Sequence, residues 1–252
     1  MQIQLIRSAT LRVDYAQHRF VIDPYLAAKY TRPSFTGASP NPLVDLPCSP
    51  LEVIAGIEMA LISHLHSDHF DPVAQNLLPK GVTILCQPED KSEIESKGFR
   101  DVIPVADTVS WKGITITRTP CQHGTGQVLQ EMGNASGFVF QADAHAREPI
   151  VYWAGDTIWC DAVAHVISRT RPDVVITHSC GAMWGNHVLI VMDAAQTVAV
   201  CHAAPNSTVI ATHMEALDHA TVTRQALREY AEAQGIGVEK LLIPLDGEKL
   251  VF

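Results

Sequence analysis

Met59-Ala60-Leu61-Ile62-Ser63-His64-Leu65-His66-Ser67-Asp68-His69 is the stretch on which the fold turns. Its first four residues form a short, unbroken apolar run, the pattern of a strand buried on both faces. Four candidate metal ligands then fall within six positions: His64, His66, Asp68 and His69. Neither strand nor helix periodicity turns all four side chains one way, so the segment must be a loop that folds them around something. Three neutral imidazoles and a carboxylate suit Zn²⁺ or another borderline divalent ion. Two ions fit the donor count better than one, because a single tetrahedral centre would leave no room for ligands from elsewhere.

Further candidates occupy the same position relative to other apolar runs. His123 follows Ile114 to Arg118 within Cys121-Gln122-His123-Gly124, Asp156 follows Ile150 to Trp153 within Ala154-Gly155-Asp156-Thr157, and His213 follows Val209-Ile210-Ala211-Thr212. Ligands carried past the carboxyl ends of several strands converge on one edge of a sheet. The set is five histidines and two aspartates, enough for two metals with an open position between them.

The rest of the chain reads as short strands with helices between them. Residues 1–13 read as one strand, with others at 19–22, 82–85, 174–177 and 208–212. Hairpins are expected at 108–118 around Lys112-Gly113, at 137–153, and at 241–252 around Asp246-Gly247. Helices are signalled at 72–78 by Asp71 as N-cap and Pro72 at the first position, and at 161–168, 193–203 and 223–233, the last stopped by Gly235. This is an α/β sandwich, expected as one domain over residues 1–252. The exception is the segment from Tyr30 to Pro50, where five prolines exclude a continuous helix and make a long irregular excursion.

Composition narrows the function classes. Lys and Arg number 18 against 27 Asp and Glu, a formal charge of −9, so there is no whole-molecule attraction to nucleic acid or anionic lipid. No apolar run reaches the roughly 18 residues of a membrane span. The opening residues lack a leader pattern and the six cysteines form no C-x-x-C pair, so a cytoplasmic location with reduced thiols is expected. Twelve histidines are the unusual feature, since histidine is the commonest protein metal ligand.

The run Ser63 to His69, His123, Ala154-Gly155-Asp156-Thr157 and His213, in this order, resembles the metallo-β-lactamase superfamily over essentially the whole chain. Val21-Ile22-Asp23-Pro24 and Thr212-His213-Met214-Glu215-Ala216 are similar to the branch that contains ascorbate-6-phosphate lactonase. The resemblance implies a four-layer αββα sandwich with a dinuclear site at one edge. It implies that His64, His66 and His123 hold a first metal, that Asp68, His69 and His213 hold a second, and that Asp156 bridges both. The ions are expected to be Zn²⁺, with Mn²⁺ or Fe²⁺ accepted by the same donors.

The implied reaction is a metal-dependent hydrolysis in which a metal-bridging hydroxide attacks a small ester-type substrate, in the first place a lactone. A phosphodiesterase or nuclease of the same superfamily and a non-catalytic metal-binding module are the alternatives. A β-lactamase proper and a flavodiiron protein are set aside, the first for lack of a cysteine ligand and the second because His66 stands where that branch has glutamate. Asp68, Asp156 and His219 are the candidate catalytic side chains. Tyr30 and Arg32 in the excursion and His187 beyond the Cys180-Gly181-Ala182 loop are candidate substrate contacts, with Arg32 placed to clamp a carboxylate or phosphate. Glu215 is expected to accept from a metal-bound imidazole. His178 is a further candidate. A small-molecule substrate is the expected partner, with no nucleic acid and no membrane, and a homo-oligomer is compatible with the sequence.

Overall fold

Strand pairing divides the chain into two seven-stranded sheets, in a computed structural model that describes residues 1–185 and 187–252. The first is built from β1 (Gln2–Arg7), β2 (Thr10–Tyr15), β3 (His18–Ile22), β4 (Met59–Ile62), β5 (Thr83–Cys86) and β6 (Asp101–Pro104). The second contains β7 (Thr108–Trp111), β8 (Ile114–Pro120), β9 (Ser136–Ala142), β10 (Val151–Trp153), β11 (Val174–His178), β14 (Thr208–Thr212) and β15 (Leu241–Leu242). A small hairpin, β12 (Met183–Trp184) with β13 (Val188–Leu189), stands apart, and β16 (Lys249–Val251) returns to the first sheet beside β1. Strands β3 to β6 are parallel, as are β10, β11, β14 and β15, while the remaining ladders are antiparallel.

Period-2 alternation explains the layers. In β4, Leu61 points between the sheets with Phe20, Phe138 and Trp153, whereas Ala60 and Ile62 point outward. That outer face packs under α1 (Pro50–Ile54), α2 (Pro72–Leu77) and α3 (Lys91–Ser96) through Val53, Ala74 and Ile94. The second sheet does the same with Tyr152, Val175 and Val209, covered by α5 (Asp161–Thr170), α6 (Ala194–Ala203) and α7 (Arg224–Ala233). A short α4 (Gly126–Met132) lies beside the strand ends. Both faces of each sheet are therefore apolar, which is why the central strands read as continuous hydrophobic runs. The four-layer αββα sandwich expected from the sequence is the fold found.

Two expectations need correcting. Residues 1–13 form a hairpin and not one strand: β1 and β2 pair antiparallel around Ser8, which turns at φ 56. The terminal strands do not pair with each other. β15 joins β14 in one sheet and β16 joins β1 in the other, and the turn at Asp246-Gly247 carries the chain between them. That turn is anchored from outside, because Gly247 N–H donates to Leu5 O at 2.7 Å and the Arg224 guanidinium holds Asp246.

The excursion is irregular, with one bridge between Arg32 and Asn41. Its inner end is held by Arg7, a fully buried side chain whose guanidinium donates to the carbonyls of Val44, Tyr25 and Ala27 at 2.8–3.1 Å. Among the described residues no helix is long and apolar enough to cross a membrane.

Candidate metal centre

The segment after β4 is folded into a turn, with His69 N–H and Phe70 N–H both donating to His66 O. Asp71 closes it, accepting from Ala74 N–H at the start of α2 and from Leu26 N–H. His123 arrives past β8, Asp156 past β10 and His213 past β14, so all seven expected ligands meet at one sheet edge. Donor atoms of His64, His66 and His123 lie within 4.8 Å of one another, as do those of Asp68, His69 and His213. Asp156 lies between the two groups. Its Oδ2 is 3.2 Å from His69 Nε2, 3.4 Å from His123 Nε2 and 3.9 Å from His64 Nε2, and its Oδ1 is 3.9 Å from His213 Nε2.

The hydrogen bonds behind the rings fix which nitrogens face inward. Asp23, just past β3, accepts from Ser63 N–H at 2.8 Å and, through Oδ2, from the Ser63 hydroxyl and from His69 Nδ1–H at 2.7 Å each. With its proton committed to Asp23, the Ser63 hydroxyl can only accept from His64 Nδ1–H, at 2.7 Å. His123 Nδ1–H donates to the Ile190 carbonyl at 2.8 Å. In their neutral form these three rings therefore point Nε2 lone pairs toward the centre. His64 Nε2 is buried with no partner, and His69 and His213 place Nε2 atoms 3.3 Å apart. Lone pairs converging in this way beside two buried carboxylates need a cation between them, so the residues present fit divalent ions bound by imidazole and carboxylate.

The charge balance agrees. Burial disfavours ionised Asp68 and Asp156, yet the adjacent imidazoles outweigh it and hold both carboxyls below the usual range. Burial likewise favours neutral His69, but Asp156, Asp68 and Asp23 overcome it and raise its pKa. Without metals the carboxylates can be balanced only by protons on such rings, which is the charge a bound cation replaces.

Backbone strain marks the same positions. Asp23 sits at φ 44 and His213 at φ 64, both left-handed, and His213 is held there by its N–H donating to Ser8 O at 2.8 Å. Gly155 at φ 68 could carry no side chain, since a Cβ would meet Ser136 O at 2.7 Å.

A cavity of about 260 Å³ opens on this cluster, lined by Phe35, His66, Asp156, Trp184 and His219 among others. The candidate residues divide on it. Asp68, Asp156 and His219 line it, whereas His187 lines a second, adjoining cavity. Tyr30 and Arg32 are not among the described residues lining either one. Tyr30 is 53% exposed with the Lys29 ammonium over its ring, and Arg32 pairs through its backbone with Asn41. Asn186, in the loop that leads to His187, lies outside the described residues.

Glu215 does not accept from an imidazole; it accepts from Arg224 N–H at 2.8 Å and from the Arg224 guanidinium, at the start of α7. The carboxylate that supports the ligands is Asp23. The sequence held it in Val21-Ile22-Asp23-Pro24, but nothing local there points to His69 or Ser63. His178, the last residue of β11, is fully buried behind the cluster, with Nδ1 donating to Asp156 Oδ1 at 2.5 Å.

Known proteins can now be set beside this geometry. The family model described as Beta-lactamase superfamily domain matches residues 18–214. The chain belongs to the metallo-β-lactamase superfamily, among its UPF0173 metal-dependent hydrolases. UPF0173 protein YddR of Bacillus subtilis (strain 168) is 35% identical over 258 residues, covering 100% of both chains. Among solved structures, an isothiocyanate hydrolase from Delia radicum gut bacteria is 34% identical with a TM-score of 0.91, over 100% of this chain and 99% of that one. A possible metal-dependent hydrolase from Veillonella parvula DSM 2008 is 32% identical with a TM-score of 0.94 over the same shares.

Proposed function

We propose that this UPF0173 hydrolase is a dinuclear enzyme that adds water to the electrophilic carbon of a small uncharged substrate. The observation that carries the reading is the pair of ligand groups joined by Asp156 at the floor of a cavity with no Lys or Arg among its described lining residues. Two divalent ions held by these residues would supply Lewis acidity and lower the pKa of a bound water toward neutrality. The chain's own contribution is orientation. Asp23, Ser63 and the Ile190 carbonyl lock the imidazoles with Nε2 inward, and Asp68 and Asp156 stay ionised beside them. His219 borders the cavity with Nδ1 buried and unpartnered, and burial lowers its pKa, so it stands as a neutral hydrogen-bonding group for the departing heteroatom.

The lining separates substrate classes. The described lining offers a phosphate no Lys or Arg and carries Asp68, Asp156 and Glu131, so an anionic substrate would depend on the bound cations alone. An uncharged lactone, the ester-type substrate suggested by the sequence resemblance, meets no such conflict. An isothiocyanate is the second reading, favoured by the 34% identical relative whose chain is covered to 99%. Its hydrolysis, R–N=C=S plus water giving an amine and carbonyl sulfide, also begins with attack on an uncharged carbon. The test is an activity screen of lactones, isothiocyanates and phosphodiesters with protein of measured metal content. Turnover of an uncharged substrate that disappears in folded Asp156→Ala and His66→Ala is expected. Failure on every class would favour the metal-binding module.

A further inference from the structure

An imidazole that turns one nitrogen toward a metal must place the proton of the other, and His213 places it differently from its neighbours. Its Nε2 lies 3.4 Å from Asp68 Oδ2 and 3.3 Å from His69 Nε2, so this nitrogen faces the ligand group. A neutral ring with its lone pair there carries the proton on Nδ1. The hydrogen-bond partner of that nitrogen is the Cys180 sulfur, at 3.6 Å. His64, His69 and His123 rest instead on oxygen, from Ser63, Asp23 and Ile190, at 2.7–2.8 Å.

The sulfur is held in place from several sides. Cys180 and His213 are both buried. Cys180 O accepts from Thr221 N–H and Val222 N–H at 2.9 Å each, and the N–H of the next residue, Gly181, donates to Met192 O at 2.9 Å. Gly181 stands at φ 60, where a Cβ would meet Val222 Cγ2 at 2.6 Å and Thr221 Oγ1 at 2.8 Å, so the two segments are in close contact. Ile190 N–H donates to Ala182 O at 2.9 Å. The segment that supports His213 is thereby paired with the one whose Ile190 carbonyl supports His123, and Cys180, Ala182, Ile190 and Val191 share one apolar cluster.

We propose that Cys180 is the positioning residue of His213: its sulfur accepts the Nδ1–H and keeps Nε2 on the metal position shared with Asp68 and His69. The sulfur contacts the ring at Nδ1 and not at Nε2, so it acts through the imidazole and is not itself a ligand. The proposal rests on the dinuclear reading above and adds that the two positions are secured unequally, because thiol sulfur is a weak acceptor.

The test is chelator competition on Zn²⁺-loaded protein, with elemental analysis, which resolves the two affinities. Cys180→Ala is expected to lower by about tenfold the affinity that His213→Ala lowers most, and to leave the other unchanged. Cys180→Val, which refills the apolar space but accepts no hydrogen bond, is expected to lose as much. Restoration by valine would show that the residue only packs, and equal losses at both positions or at neither would overturn the assignment as well. Co²⁺-loaded wild type is expected to show no thiolate-to-cobalt charge-transfer absorption. Such a band, lost in Cys180→Ala, would make Cys180 a ligand and overturn the positioning role. A wild type that takes up a single ion refutes the dinuclear reading but leaves the comparison intact, made then on the affinity that His213→Ala lowers. Uptake of no ion overturns both.

Discussion

His178 Nδ1 lies 2.5 Å from Asp156 Oδ1, fully buried behind the ligand cluster. A carboxylate oxygen can only accept, so the imidazole donates, and its neutral form is favoured by burial, which lowers its pKa to about 4. Oδ1 is thus fixed from behind while Oδ2 faces the Nε2 atoms of His64, His69 and His123. Groups that orient a metal ligand are worth about 10- to 100-fold in affinity. His178→Leu is therefore expected to weaken metal binding by that factor, measured by chelator competition and elemental analysis. His178→Asn, which can still present an N–H at the Nδ1 position, is expected to lose much less. Equal losses in the two variants would show that His178 acts as a ligand and not as a support.

Asp23 should be as sensitive, for a different reason. Three donors converge on it in a fully buried position. Asp23→Ala strands the Ser63 N–H and hydroxyl and the His69 Nδ1–H, each unpaired group costing about 1–3 kcal/mol. Asp23→Asn keeps an acceptor for one donor but turns an NH₂ toward His69, favouring the wrong tautomer. Both variants are expected to bind less metal, and Asp23→Ala to show a lower Tm than Asp23→Asn. Wild-type metal content in Asp23→Asn would sink the tautomer argument.

The contrast between these two residues and the seven ligands shows what the sequence made legible. Each ligand follows an apolar run, so strand-end placement could be read locally, and His64 to His69 could be read as a loop from spacing alone. Asp23 lies 40 residues before Ser63, and only the pairing of β3 with β4 brings them together. The same limit hid the first hairpin. Ser8-Ala9 has no Gly, Pro, Asn or Asp to announce a turn, and Ser8 adopts φ 56 because the sheet demands it. Asp246-Gly247 carried a hairpin signal, but its strands pair in different sheets, β15 with β14 and β16 with β1. The short helices α1, α3 and α4, of five to seven residues, present too little periodicity to be recognised.

Asp90 gives a pH dependence of stability. Burial pushes its pKa up to about 6, against which Gln87 Nε2 donates a compensating bond at 3.0 Å. The folded value is above the unfolded value of about 3.9, so the folded state favours the protonated acid. The resulting contribution is full below the unfolded value and is lost as pH rises through about 6. Asp90→Asn is expected to raise Tm by about 2–4 °C at pH 8 and to leave it unchanged at pH 4. Thermal melts at both pH values decide it, and a constant difference would show that the carboxyl is not the source.

Asp218 works with the opposite sign. Burial alone would raise its pKa, but donors from Ser34, Thr36, Asn41 and Phe35 outweigh it and hold the carboxyl well below its ordinary value. Its contribution is therefore present above the unfolded value of about 3.9 and lost as pH falls toward the folded one. At neutral pH the tie between residues 34–41 and His219 is intact, and removing the carboxylate should release it. Asp218→Ala is expected to speed hydrogen exchange across 34–41 while leaving exchange in β4 and β14 unchanged, because the core beneath does not depend on that loop. The wild type should show the same local acceleration on acidification below about pH 4, and Asp218→Asn, which cannot ionise, should show none. Since Phe35 and His219 both line the cavity over the ligands, KM for a bulky substrate should rise more than kcat falls in Asp218→Ala. An exchange pattern and KM like the wild type's would mean that the loop is held by other contacts.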